Sequence, residues 1–146
     1  MNYEISEVLQ EDRDVLAELR IAAMRESLEN VGRFDPVRAR DRFLSAFSAD
    51  DTRKILVNNE LAGFYVLKRQ QDHYYLDHLY FHPQYQASGL GSKIINSIKK
   101  LSRESGMPVR LGALRNSRAN KFYKRHGFSY THEDAWDIYY EFRHVG

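Results

Sequence analysis

The chain has no cysteine, so no disulfide framework braces it and no thiol can act as nucleophile or as thiolate metal ligand. An acyl intermediate linked to cysteine is thereby excluded. No apolar run approaches the length that spans a bilayer. The opening residues, from Met1 through Glu7, are acidic and mixed rather than basic and then apolar. Together these features predict a cytoplasmic protein with no membrane partner. Net charge is nearly absent as well: 22 Lys and Arg stand against 20 Asp and Glu, giving a formal +2. That excess is too small to argue for a nucleic-acid partner. No linker or repeat divides the sequence. A chain of 146 residues, 42% of them hydrophobic, predicts one compact domain over residues 1–146.

What is present centres on the stretch His82-Pro-Gln-Tyr-Gln-Ala-Ser-Gly-Leu-Gly-Ser92. Before it, residues 74–81 are rich in aromatic and β-favouring side chains and read as a strand. Pro83 ends that strand by lacking an N–H for the ladder. After it, Leu90, Ile94, Ile95, Ile98 and Leu101 recur at the spacing of one helical face. The first turn of a helix leaves backbone N–H groups without partners, and with the macrodipole these favour an anion. Gly89 and Gly91 lack a Cβ, so a phosphate can come close to the peptide backbone there. Two familiar phosphate loops do not fit. No Gly-Lys-Ser/Thr ending marks a nucleoside triphosphate site, and the third glycine and downstream acid of a dinucleotide fold are missing.

The pattern Gln86-x-x-Gly89-x-Gly91, preceded by Leu79-Tyr80-Phe81-His82-Pro83, resembles motif A of the GNAT superfamily of N-acyltransferases. Downstream, residues 116–128 resemble its motif B: an Asn-capped helix beginning at Asn116, carrying Ala119 and Phe122-Tyr123, and closed by Gly127-Phe128. The likeness is best over residues 74–130. It implies an α/β fold with a mixed, mostly antiparallel sheet flanked by helices. It also implies a V-shaped splay between the strands at about residues 74–82 and 109–114, where the pantetheine arm of a coenzyme lies. Acetyl-CoA would be the acyl donor, no metal is implied, and the acceptor would be a primary amine of a small molecule or peptide. Either a monomer or a homodimer is compatible with it.

In order along the chain, Tyr3, Ile5 and Leu9 alternate as a short first strand, and Glu11 to Leu28 reads as a helix with Val15, Leu16, Leu19, Ala22 and Ala23 facing the core. Asp35-Pro36 is a cap with a first-turn proline, opening a helix that carries Arg40, Phe43, Leu44 and Phe47. The resemblance implies that these helices shape the acceptor side, where Arg20, Arg25 or Arg33 could meet an acceptor carboxylate. Residues 54–57 and 61–67 form a hairpin about Asn58-Asn59, since asparagine tolerates the left-handed conformation. Residues 109–114 form a strand in which Gly112 marks close approach of a ligand or another backbone. Residues 128–131 and 136–142 close the chain as an antiparallel pair. Trp136, Tyr139, Tyr140 and Phe142 read as packing.

Acyl transfer to an amine needs a bound donor, a neutral amine, stabilisation of an oxyanion, and a proton for the departing thiolate. The resemblance assigns these as follows. Backbone N–H groups of Gln86, Ala87, Ser88, Gly89, Leu90, Gly91 and Ser92 hold the diphosphate. Backbone groups of Leu79, Tyr80 and Phe81 align the pantetheine and offer the oxyanion donor. Asn116 and Ala119 belong to the coenzyme side, and Tyr123 matches the general acid by position. Its phenol, with an ordinary pKa of about 10, can protonate a thiolate of pKa about 8.5 only where geometry brings it to the sulfur. For the base, Asp77 comes first, acting through water because Asp is shorter than the Glu of many relatives; His78 is the alternative. Neighbours on a strand face opposite sides, so the two would not serve together. Ala87 stands where many relatives have glycine, a departure that a small residue is expected to tolerate. His78 and His82 share a strand face, but two histidines without a third ligand make a poor metal site. A catalytically silent acyl-CoA sensor of the same fold is the alternative function, since binding needs only the loop and the strands.

Overall fold

The computed structural model describes residues 2–144. In chain order it contains β1 (Glu4–Glu7), α1 (Arg13–Asn30), α2 (Pro36–Ser45), β2 (Thr52–Val57), β3 (Glu60–Arg69), β4 (Tyr74–Phe81), α3 (Leu90–Ser105), β5 (Val109–Leu114), α4 (Ala119–Arg125), β6 (Ser129–Glu133) and β7 (Asp137–Phe142). The strands form one sheet of seven in the order β1-β2-β3-β4-β5-β7-β6. The β4–β5 pair is parallel; the pairs β1–β2, β2–β3, β5–β7 and β6–β7 are antiparallel. The result is an α/β fold, a mostly antiparallel sheet flanked by helices. No helix among the described residues is long and apolar enough to cross a membrane.

The chain falls into two compact units, one of Met1–Val66 with His78–Ser88 and the other of Leu67–Asp77 with Gly89–Gly146. In the first unit, α1 packs on α2, and Val8, Leu16, Ala17, Leu19, Phe43, Phe64 and Val66 form the core. The predicted cap of α2 is present: the Asp35 carboxylate accepts the Arg38 N–H at 3.1 Å, with Pro36 at the first helical position. Asn58 and Asn59 both have positive φ, 52° and 65°, so the β2–β3 hairpin turns as their side-chain chemistry allows.

Two expectations for this unit fail on phase. Val15 is 52% exposed and Ala22 is exposed, while Ala17 is buried with Leu16 and Leu19. The Asp12 carboxylate accepts the Leu9 N–H at 2.8 Å just ahead of α1, and the face that meets the core is the one carrying Leu16, Ala17 and Leu19. Ile5 of β1 is exposed, and the strand ends at Glu7, beyond which Val8 is buried and Leu9 exposed. A strand flips every side chain when its phase shifts by one residue.

The second unit is built on α3. Leu90, Ile94, Ile95 and Ile98 are all buried, each contributing about 1.5–3 kcal/mol. The stripe ends differently from its prediction: Leu101 is 40% exposed and Ser102 takes the buried place. The Ser102 hydroxyl donates to the Met107 carbonyl at 2.5 Å, which satisfies it in the core. Gly106, at φ 73°, terminates the helix in the left-handed conformation. Buried Val109, Leu111 and Ala113 of β5 alternate with Arg110, Gly112 and Leu114. Phe128 packs edge-on against Tyr123, and its ring lies 5.6 Å from that of Phe142.

Gly112 has a different purpose from the one its sequence position suggested. It stands opposite Tyr139 in the β5–β7 ladder, and a Cβ there would lie 2.8 Å from the Tyr139 ring. The group that comes close is the ring of an aromatic side chain. The Tyr139 hydroxyl donates to Asp134, which with burial and the surrounding carboxylates pushes its pKa up to about 12. Trp136, read from sequence as packing, is half exposed, whereas Tyr140 and Phe142 are buried.

Candidate active site

The proposed diphosphate loop is built from consecutive backbone conformations. A short 3-10 turn, Pro83–Tyr85, follows β4, with the His82 ring accepting the Gln84 N–H at 3.3 Å. The Gln86 N–H donates to the Pro83 carbonyl at 3.2 Å, so this amide is engaged within the turn. Its side chain reaches back instead, Nε2 donating to the Phe81 carbonyl at 3.1 Å. The Ser88 hydroxyl closes onto the Tyr85 carbonyl at 2.5 Å. Between them Ala87 has φ 60°, and Gly89 has φ 90° and is the residue that caps α3. Gly89 has no side chain and so contributes no side-chain cap of its own to the first-turn amides. Those amides are the ones that intrahelical bonds cannot reach. A Cβ built on Gly89 meets nothing within 4 Å, so the space over the backbone there is open.

Ala87 is not the mild departure that its small size suggested. It holds a left-handed conformation that costs an L-residue about 1–2 kcal/mol, and the loop keeps it.

β4 carries the other predicted groups. Its parallel ladder with β5 covers Tyr74–Leu76 and Val109–Leu111, and β4 runs on from Asp77 to Phe81. In the first unit, the peptide of Tyr80–Phe81 is approached closely by Gly63 of β3. A Cβ at Gly63 would collide with the Tyr80 carbonyl oxygen and stand 2.7 Å from Phe81 Cδ1. Sequence reasoning passed over Gly63; a glycine inside a strand pattern was the available signal. The His78 ring packs against Phe43 at 5.4 Å and Phe64 at 6.4 Å, and its Nδ1 lies 3.5 Å from the Tyr80 hydroxyl. Arg20 lies over the Tyr80 ring and donates to the Ala39 carbonyl at 3.3 Å, and Arg25 pairs with Glu29 at 2.7 Å.

In the second unit, Asp77 pairs with Lys68 at 3.1 Å and its side chain is 32% exposed. Burial raises the Tyr75 phenol, and the carboxylates of Asp77 and Asp137 add to the effect. Leu90, Gly91 and Ser92 form the first turn of α3, with Leu90 buried. Ser92 Oγ is hydrogen-bonded to His126 Nε2 at 3.0 Å.

Asn116 is not the helix cap that motif B predicted. It turns the chain at φ 67° ahead of α4, which starts at Ala119 after Arg118, with no side-chain cap. The asparagine that works is Asn120. Its Nδ2 donates to the carbonyls of Leu114 at 2.9 Å and Ser117 at 3.1 Å, and its Oδ1 accepts from the Tyr140 hydroxyl at 2.8 Å. This bracket ties β5, α4 and β7 together and positions Tyr123, which is 7% exposed and packs on Phe122 and Phe128. Of the basic residues near motif B, Arg115 is engaged by Glu133 and the Asp134 carbonyl.

A family model for the acetyltransferase (GNAT) domain matches residues 47–130, more than half of the chain. The chain belongs to the GNAT acetyltransferase family. It is an acyltransferase of the GNAT type, and the matched residues include the glycine loop. Solved structures share the fold over nearly the whole of this GNAT chain. A PaiA N-acetyltransferase from Thermoplasma acidophilum, determined in complex with coenzyme A, superimposes with a TM-score of 0.81 at 19% identity, covering 99% of this chain and 100% of that one. An acetyltransferase from Thermus thermophilus gives 0.75 at 15% identity, covering 98% and 97%. A ribosomal-protein alanine N-acetyltransferase from Escherichia coli gives 0.74 at 17%, covering 99% and 97%. At these identities the likeness is one of fold. No curated protein sequence matches the chain.

Proposed function

We propose that this GNAT chain, read as one domain over residues 1–146, transfers an acetyl group from acetyl-CoA to a primary amine of a small molecule or peptide. Attack is direct, within a ternary complex. The observation that carries the proposal is the loop: two left-handed residues, Ala87 and Gly89, turn the backbone into α3 with open space over Gly89. The amides from Ala87 to Ser92 would hold the diphosphate, and the Gln86 side chain would secure the loop to Phe81. Two of the neighbouring folds were determined with coenzyme A or acetyl-CoA bound, which agrees with this assignment.

The backbone of Leu79, Tyr80 and Phe81 would align the pantetheine and donate to the oxyanion as the amine nitrogen adds to the thioester carbonyl. Asp77, through a water molecule, would accept the proton that the ammonium must lose. Its partial exposure and its position on β4 support it over His78, whose ring is packed among aromatic side chains. As the C–S bond breaks, Tyr123 would give its phenolic proton to the thiolate and recover one from solvent. Asn116 and Ala119, where the chain enters α4, would lie along the coenzyme. We read the enzyme as cytoplasmic, working as a monomer or homodimer.

The test is thiol release from acetyl-CoA in the presence of a panel of amines: amino acids, polyamines, drug-like amines and peptides with free N-termini. The chain has no cysteine, so a thiol reagent reports only released coenzyme. Amine-dependent release supports the assignment. Tight coenzyme binding with no release for any amine would turn the reading toward a silent acyl-CoA sensor.

A further inference from the structure

We propose that His126 is a positioning residue for the diphosphate loop: its Nε2–H donates to Ser92 Oγ and thereby turns the serine hydroxyl hydrogen toward a bound diphosphate oxygen. The inference rests on the coenzyme reading above. Two atoms define it, Ser92 Oγ and His126 Nε2, 3.0 Å apart across 34 positions of sequence. Ser92 is the third residue of α3 after the Gly89 cap, so its hydroxyl stands beside the first-turn amides. A serine hydroxyl has one hydrogen to donate. If the imidazole accepted it, the hydroxyl could only accept in turn and would repel a phosphate oxygen. If the imidazole donates, the hydroxyl is left to donate to the anion.

The surroundings hold the ring in that place. Phe122 lies 4.7 Å from it between ring centres, and the cations Lys99 of α3 and Arg125 of α4 face it. Burial first, then those two charges, lowers its pKa and so favours the uncharged imidazole, in which the nitrogen that carries the hydrogen decides its function. Neither motif gives this residue a role; it stands directly before Gly127.

The test compares coenzyme A affinity among His126→Gln, His126→Leu and the wild type by calorimetric titration at neutral pH, with thermal unfolding run in parallel. Glutamine retains a donor near the position of Nε2, and leucine does not. The expected result is near-wild-type affinity for His126→Gln and a loss of about five- to tenfold for His126→Leu, the size of one hydrogen bond. In a Ser92→Ala background the two His126 variants should bind alike, because the route through the hydroxyl is gone. A structural role alone would lower the melting temperature of both backgrounds equally without that convergence. The imidazole 15N shifts of the free wild type give a second readout, with the hydrogen expected on Nε2. Affinity of His126→Leu equal to or above wild type, or a hydrogen found on Nδ1 alone, overturns the proposal while leaving the coenzyme reading intact. Failure of the wild type to bind coenzyme A overturns both.

Discussion

Replacing Gly63 by alanine should destabilise the protein and disturb the backbone proposed to align the pantetheine. The added methyl would stand 2.7 Å from Phe81 Cδ1 and would overlap the Tyr80 carbonyl oxygen. The Phe81 ring can rotate, but the carbonyl belongs to β4, and the next residue after the strand is fixed as well, His82 N–H donating to the Ala62 carbonyl at 2.8 Å. Overpacking of this kind costs about 1–3 kcal/mol. Alanine also recovers about 0.5–1 kcal/mol over glycine in a strand through the unfolded chain. The net expected loss is about 1–2 kcal/mol, or about 2–8 °C in melting temperature for a chain of this size. Thermal unfolding followed by circular dichroism measures the first effect. A coenzyme A titration measures the second, which should show weakened binding even well below the melting temperature. A variant that melts within about 1 °C of wild type and binds the coenzyme equally well would refute the close approach and its part in shaping the site.

Three further outcomes follow from named contacts. Tyr123→Phe should lower turnover while leaving coenzyme affinity nearly intact, measured by thiol release and by titration; unchanged turnover removes Tyr123 from the mechanism. Ala87→Gly should stabilise the fold by about 0.5–1 kcal/mol, because glycine adopts φ 60° without the steric cost alanine bears, and an unchanged or lower melting temperature would contradict the strained loop. At Glu141, burial would raise the carboxyl pKa, but hydrogen bonds from Arg110 and Arg143 outweigh it and lower the pKa. Its stabilisation is therefore present above the ordinary glutamate pKa of about 4.3 and is lost as the pH falls through the lower, folded value. With Arg110 and Arg143 both substantially exposed, Glu141→Gln should cost about 1 kcal/mol at neutral pH. The difference from wild type should vanish in acid, and one that persisted there would rule out the charge as its source.

The elements carried by local rules were legible from the sequence. The Asp35-Pro36 cap, the paired asparagines of the hairpin and the aliphatic stripe of α3 each depend on a few neighbouring residues; the first two formed as read, and the stripe did so from Leu90 to Ile98. The family motifs added the strand order of the site. What escaped were features set by partners distant along the chain. The phase of α1 depends on the core it meets, and an alternation such as that of Tyr3, Ile5 and Leu9 does not say which face is covered. From sequence, Gly112 reads as marking close approach of a ligand or another backbone, and Gly63 is passed over; one makes room for the Tyr139 ring and the other for the Tyr80 carbonyl. Asn116 and Asn120 lie four positions apart in one polar segment, and only the carbonyls of Leu114 and Ser117 with the hydroxyl of Tyr140 reveal which one is the bracket. Ser92 and His126 lie 34 positions apart, and no local spacing encodes their hydrogen bond.

The amide resonances of Ala87, Gly89, Gly91 and Ser92, followed by NMR as coenzyme A is added, test the central claim most directly. Anion binding at the first turn of α3 predicts that these amides move downfield together and saturate at one affinity, while pantetheine alone leaves them in place. Saturable coenzyme binding with these four amides unmoved would contradict the account.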